Sequence, residues 1–268
     1  MVEFQRKDFY SYEDFLEIMR LLRAPGGCPW DREQTHSSIR RNFLEETYEV
    51  LDAIDHDDAS GMCEELGDVL MQVAFHAQIE AERGRFTMAN VVDGVARKLV
   101  YRHPHVFGDV QADTSQQVLA NWDVLKRREK GQRSTADAVE AVPHTLPALW
   151  RAEKIQSKTA KAGFDWTSSL QALDKLEEEV RELRAALEAG QAADAPHGIR
   201  EELGDTLFMA AKIAQMSGVD PEDALHRACD KFDRRFRAVE GAADKPLPEC
   251  GEAELLALWN DAKSHDPS

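Results

Sequence analysis

Acidic residues recur in this chain in a pattern that can do chemistry. The string EELGD stands at 64–68 and again at 201–205, and each copy is preceded by glutamates three apart, Glu46 and Glu49 before the first, Glu179 and Glu182 before the second. On an ideal helix residues three apart share a face. Glu46 with Glu49, Glu65 with Asp68, Glu179 with Glu182 and Glu202 with Asp205 therefore form carboxylate pairs, and two helices packed antiparallel would bring two pairs together across one groove. Four carboxylates at a partly buried seam repel one another and raise their own pKa values unless a cation sits among them. Hard divalent ions with oxygen ligands are the natural occupants. Mg²⁺ keeps several waters and shares its shell with phosphates, which suits an open carboxylate groove.

Cations follow each acidic segment. Lys98 and Arg102, and Lys231 and Arg235, stand four apart on a later segment and can reach the same polyanion, lysine as a point contact and arginine as a bidentate one. A single ExxE is ordinary solvated helix surface. The argument for a site rests on two acid pairs in tandem, then Lys and Arg at fixed distance, all written twice.

The elements that must position these residues read as helices. Apolar residues fall at three and four spacing with almost no alternating runs, which predicts an all-α fold. Helices are expected over 11–23, 36–55, 60–83, 87–102 and 114–130, and over 146–161, 168–189, 197–217, 220–240 and 252–263, with Asp220 and Pro221 as N-cap and first-turn pair for one of them. The expected apolar stripes beside the acid pairs are Phe43, Val50, Leu51 and Ile54 against Leu66, Leu70, Val73 and Ala77, and Leu176, Val180 and Leu183 against Leu203, Leu207 and Ala210. Gly67 and Gly204, each inside a helix, cost about 1 kcal/mol relative to alanine, which predicts close approach of a neighbouring helix or a ligand.

Aligning the two EELGD strings brings LEETYEVLDAI (44–54) opposite LEEEVRELRAAL (176–187), KLVYRHP (98–104) opposite KFDRRFR (231–237), and CPWD (28–31) opposite GFDW (163–166), each of the last two placing a Trp in a loop. The chain is an internal repeat: a first domain over 1–130, a linker over 131–143 that is polar, lacks a core stripe and ends in proline, and a second domain over 144–268.

At 268 residues there is enough chain for two cores, and a net charge of −17 argues against duplex nucleic acid or an anionic membrane surface as partner. Cys28, Cys63, Cys229 and Cys250 have no CxxC spacing, so neither a zinc knuckle nor a disulfide framework is expected. No stretch approaches the ~20 apolar residues of a membrane span, and the N-terminal segment has no apolar signal core. The expected location is the cytoplasm.

Together, GCPWDREQTH (27–36), LEETYEVLDAI, EELGDVL, RHPHVFGD (102–109), LPALWRAEKIQ (146–156), GFDW and KFDRRF (231–236) resemble the tandem-domain MazG proteins among the all-α nucleoside triphosphate pyrophosphohydrolases, over nearly the full chain. The resemblance implies two MazG-like helical bundles that hydrolyse standard or altered NTPs and dNTPs to the monophosphate and pyrophosphate, with Mg²⁺ (Mn²⁺ as a substitute), as a homodimer. It implies metal ligation by Glu179, Glu182, Glu202 and Asp205, with Glu46, Glu49, Glu65 and Asp68 as a second set. Glu178 and Glu45, one position earlier, would support the ligands or act as base for water, and Lys231 and Arg235 would steady the departing pyrophosphate. Arg234 joins them as a substrate contact, and Trp166 and Trp30 are candidates for lining a base pocket. Two departures stand out: Cys229 occupies a place where a polar residue such as Asn is expected, and Tyr101 stands where the second copy has Arg234.

Weaker signals point elsewhere. His103 and His105 flank Pro104 and read as a turn with interface or core roles. Glu33 and His36 make one ExxH where a di-iron bundle needs two. His56 and Asp57 make the HD dipeptide of another all-α class, the HD-type metal phosphohydrolases, but without spaced partners. No GxxxxGK[ST] occurs. A non-catalytic helical module that binds nucleotide or mediates dimerisation is the alternative from a different class, with the first copy the more reduced.

Overall fold

The computed structural model describes residues 4–129, 131–190 and 192–266, and divides into two compact units, 1–125 and 126–268. Among the described residues there are helices and no strands, so the chain is all-α. None of these helices is long and apolar enough to cross a membrane.

The first unit contains α1 (Tyr12–Arg23), α2 (Pro29–Glu33), α3 (Arg40–Asp55), α4 (Ala59–Glu82), α5 (Met88–Arg102), α6 (Pro104–Phe107) and the start of α7 (Ser115–Glu129). Local chemistry sets the helix starts. Ser11 and Asp14 form a reciprocal capping box on α1, and Asp58 accepts from the backbone N–H groups of Ser60 and Gly61 to open α4. Residues 56–58 alone join α3 to α4, with Asp57 in the left-handed region at φ 52°, and so short a connection folds the two into an antiparallel hairpin.

The core of this unit lies between α1 and the C-terminal half of α4. Met19, Ile39, Ala74, Phe75 and Ile79 are buried, with Phe15, Leu16 and Met71 packed against them. Full burial of a side chain the size of Phe75 or Ile79 stabilises by about 1.5–3 kcal/mol. Arg23 joins three elements: its guanidinium meets Glu82 at 2.8 and 2.9 Å, lies 5.2 Å from the centre of the Phe75 ring, and donates to the backbone carbonyls of Asp31 and Gln34. Gly27 is required by sterics, because a Cβ there would collide with the carbonyls of Leu21 and Leu22.

The second unit contains α8 (Thr135–Glu140), α9 (Ala148–Ala160), α10 (Ser169–Glu188), α11 (Ile199–Met216), α12 (Pro221–Ala242), a single 3₁₀ turn at Leu247–Glu249 and α13 (Glu252–His265). Its buried apolar residues are mostly small (Ala138, Ala152, Ala172, Ala186, Ala211, Ala262) and let helices approach closely, with Met209 and Val239 filling between them. Asp220 and Pro221 do start α12, and the Asp220 carboxylate also accepts from the indole N–H of Trp150 at 2.8 Å, tying α9 to that start.

Four expectations need correction. Residues 131–143 are not an unpatterned linker: Ser134 and Asp137 cap α8, and Ala138 and Val142 are buried in the second unit; Lys130, at the expected boundary, lies outside the described residues. Trp30 is in the short helix α2, started by Pro29, rather than in a loop. A Cβ at Gly67 or Gly204 would meet open space, so no neighbouring helix requires glycine there. The stripe of α4 chosen from periodicity is also partly misplaced: Leu66 and Leu70 are exposed, as are Leu51 and Ile54 on α3, because the core is formed on the face that meets α1.

One polar network lies beside that core, around the buried Glu80. His36, in the turn before α3, has Nδ1 2.7 Å from His76 Nδ1 and Nε2 2.6 Å from the buried Glu80 carboxylate, which Arg83 and Arg85 also approach. A nitrogen pair at that distance shares one hydrogen, so it cannot hold with both rings doubly protonated. Burial, then the neighbouring His36, hold His76 below the ordinary 6.5. The unfolded chain therefore takes up this proton first, and the stability the pair contributes is present above that value and is lost as the pH falls toward the folded-state pKa. Thermal unfolding at about pH 7.5 and pH 5.5 should show the first unit losing several degrees in acid, and His76→Phe should remove most of that loss. Equal acid sensitivity in both proteins would exclude the pair as its cause.

Candidate active site

Both helical hairpins bring their carboxylates together. In the second unit α10 presents Glu178, Glu179 and Glu182, and α11 presents Glu202 and Asp205. Oxygens of Glu179, Glu202 and Asp205 all lie within 4.8 Å of one another. Glu179 and Glu202 are only 7% and 4% exposed, a degree of burial that carboxylates rarely show without a partner. Glu182 hydrogen-bonds to Glu179, and burial followed by that neighbour raises its pKa; Asp205 is raised by burial and by the charges of Glu179 and Glu201.

A cation missed by the sequence reading sits inside this cluster. Lys175, one turn before Glu179, donates to Glu178 at 2.6 Å and to Glu179 at 2.9 Å. Those two carboxylates push the Lys175 ammonium well above its ordinary pKa, and Lys175 in turn holds Glu178 low. The signal was present in the sequence: a lysine three and four residues before glutamates on one helix face. His197, whose backbone is left-handed at φ 54°, places Nδ1 3.5 Å from Glu202 and is a second neighbour not foreseen.

In the first unit Glu46 and Glu49 of α3 and Glu65 of α4 form the equivalent group, again within 4.8 Å. Burial, then Asp68 and Glu49, raise Glu46; burial, then Glu49, raise Glu65. The position four before Glu46 is Asn42, so this cluster has no counterpart of Lys175. Gln72 is the compensating group, a hydrogen bond from it lowering the pKa of Glu46.

Three of the expected carboxylates thus converge in each hairpin, with Glu182 hydrogen-bonded to Glu179 in one and Asp68 acting on Glu46 and Glu65 through its charge in the other. The expected cations do not join them. Arg235 pairs with the buried Asp266 at 2.7 Å and Arg234 meets the same carboxylate at 3.4 Å, because the C-terminal end of α13 lies against α12. Lys231 and Lys98 are exposed and Arg102 is half-buried at the end of α5. Trp30 is 58% exposed, whereas Trp166 is half-buried with the Lys212 ammonium 5.8 Å from its ring centre. His56 bonds to the carbonyl of Asp52 within its own helix end, so the HD dipeptide forms no centre of its own. His103 bonds to the Leu99 carbonyl and stands edge-on to Trp122.

The donor set is all oxygen. Neighbouring oxygens on one octahedral Mg²⁺ are roughly 3 Å apart and opposite ones roughly 4.2 Å, so three oxygens within 4.8 Å of one another would share an ion only after their side chains draw closer. The profile of the MazG nucleotide pyrophosphohydrolase domain matches this chain twice, over residues 34–107 and 167–239. The chain belongs to the MazG nucleotide pyrophosphohydrolase family. Among curated MazG relatives, it is 46% identical over 226 residues to the nucleoside triphosphate pyrophosphohydrolase of Escherichia coli (strain K12), covering 84% of this chain and 85% of that protein. It is 41% identical over 258 residues to the nucleoside triphosphate pyrophosphohydrolase/pyrophosphatase MazG of Thermotoga maritima, covering 95% and 96%. Each MazG match encloses one carboxylate hairpin and the K-x-x-x-R helix after it, and the family makes the chain an enzyme rather than a helical scaffold.

Replacing Lys175 with Met in metal-free buffer should move the titrations of Glu182 and Asp205 further up, since the ammonium lowers both. Carbon-13 shifts of the carboxyl groups measure this, and unchanged titrations would show that Lys175 does not act on the cluster.

Proposed function

We propose that this chain hydrolyses nucleoside triphosphates, deoxy and altered forms included, to the monophosphate and pyrophosphate at the carboxylates of the second unit. The observation that supports this most is the burial of Glu179 and Glu202 in one group with Asp205, with Glu182 hydrogen-bonded to Glu179, a set that Lys175 neutralises only in part and that a divalent cation or protons would complete. The relatives' names, nucleoside triphosphate pyrophosphohydrolase, support the substrate class.

In this reading Glu179, Glu182, Glu202 and Asp205 hold Mg²⁺, or Mn²⁺ in its place. Bound there, the ion would neutralise charge on the triphosphate and favour ionisation of a water. The chain's own residues do the rest. Glu178, exposed beside the ligands, accepts the proton of the attacking water; its ion pair with Lys175 keeps it ionised at some loss of basicity. The bond from water oxygen to the α-phosphorus forms, the bond from that phosphorus to the bridging oxygen breaks, and the electron pair leaves on pyrophosphate. Lys175 is the cation nearest the cluster and can follow the developing charge, while Lys231 and Arg235 serve the pyrophosphate only if Arg235 exchanges Asp266 for it.

The first unit has the same carboxylates without the lysine, and we assign it the lesser role in turnover. Both hairpins expose equivalent leucines, Leu66 and Leu70 in one and Leu203 and Leu207 in the other, and a second copy of the chain is the proposed cover for them. A monomer in sedimentation equilibrium would exclude that cover.

The deciding assay is pyrophosphate release from a panel of NTPs and dNTPs with Mg²⁺. Glu182→Ala should lower turnover by about a hundredfold or more, Glu49→Ala should have a small effect, and chelation should abolish activity. Release of orthophosphate, or turnover indifferent to both substitutions, would overturn the reading.

A further inference from the structure

Lys212 is the most deeply buried large side chain described in the second unit, 1% exposed, and the carboxylate chemistry does not use it. Its ammonium forms an ion pair with Asp165, donates to Gln215 at 2.7 Å and lies over the Trp166 ring. Asp165 in turn accepts from the backbone N–H of Trp166 at 2.8 Å. The loop that carries both residues turns at Gly163 with φ +87° and ends at Ser168, which caps α10. A buried ammonium is unfavourable unless paired, and an apolar side chain of similar volume is often at least as stabilising. The first unit takes that apolar solution: Phe75 occupies the equivalent place and sits in the core. Stability alone therefore gives no reason for lysine at 212.

Position gives one. Lys212 follows Asp205 by seven residues, two turns along the same face of α11, or about 10.5 Å. Trp166, held beside the Lys212 ammonium, therefore belongs to the stretch of α11 two turns beyond the acids, on the face that carries Asp205. We infer that Lys212 is a positioning residue: through Asp165 it pins the 163–167 loop so that Trp166 forms the wall against which the nucleobase of the substrate stacks. The assignment rests on the pyrophosphohydrolase reading above and adds to it the residue that sets base contact in the second unit. Asp165 keeps one carboxylate oxygen for the ammonium and the backbone N–H, so loop and tryptophan are held as one piece. Loss of either partner frees the ring without touching Glu179, Glu182, Glu202 or Asp205.

Steady-state kinetics on the full chain with ATP, GTP, CTP and UTP tests this. Lys212→Met and Asp165→Asn should each raise KM by about tenfold, the scale of one base–aromatic stack, with kcat changed less than twofold. Lys212→Arg should restore most of the KM. Trp166→Ala should show the same rise, and adding Lys212→Met to it should change nothing more. An unchanged KM in Lys212→Met or in Trp166→Ala, or additive effects in the double variant, would overturn the inference while leaving pyrophosphate release intact. Amide exchange at 163–167 gives an independent reading should the wild type release no pyrophosphate or Lys212→Met fold poorly. Faster exchange in Asp165→Asn is expected there, and unchanged exchange overturns the anchoring.

Discussion

The constraint on which this chain turns is mutual repulsion among carboxylates held in a seam between two helices. Water would screen the same charges on an open surface, but Glu179 and Glu202 are withdrawn from water, and each charge raises the free energy of its neighbours. The hairpin geometry imposes this: with ExxE on one helix and ExxD on the next, packing the helices puts the acids face to face. Such a seam can be relieved by protons, by a lysine or by a metal ion. The second unit uses Lys175 in part, and burial first, then the neighbouring carboxylates, still hold Glu182 and Asp205 above their ordinary pKa values. That remaining negative charge is what the proposed divalent cation would neutralise.

The two units solve the same geometry differently. Where the second has Lys175 the first has Asn42, and where the second has Lys212 the first has Phe75. The first unit instead sets a partly buried histidine pair and the buried Glu80 beside its core, a feature without counterpart at the equivalent positions Ile213 of α11 and Ser217, its C-cap. Duplication preserved the acid hairpin in both, while the polar groups that tune it diverged. The proposed division of labour between the repeats rests on those groups rather than on the carboxylates they share.

Much of this was legible in the sequence because it depended on local rules. The ten long helices among the described residues lie within a few residues of their expected bounds, since period, caps such as Asp220 and connection length are local signals. The meeting of Glu46 and Glu49 with Glu65, and of Glu179 with Glu202 and Asp205, followed from helical spacing and antiparallel packing of the two helices. What was not legible depended on which faces meet. Periodicity marks an apolar stripe but not its partner, so Leu66 and Leu70 were placed inside when α1 covers a different face of α4. Arg235 was assigned to phosphate by its spacing, yet Asp266, thirty-one residues on, reaches it first. Lys212 could be found only by its burial, which no sequence window reveals.

The central claim is that the acid seam of the second unit is a divalent-cation site. The most direct measurement is anomalous diffraction from crystals of the full chain soaked in Mn²⁺, collected near the manganese edge. The account predicts an anomalous peak bounded by Glu179, Glu182, Glu202 and Asp205, with its strength lost in Glu179→Gln. Crystals that diffract well and show no peak between α10 and α11 at millimolar Mn²⁺, or a peak untouched by that substitution, would contradict it.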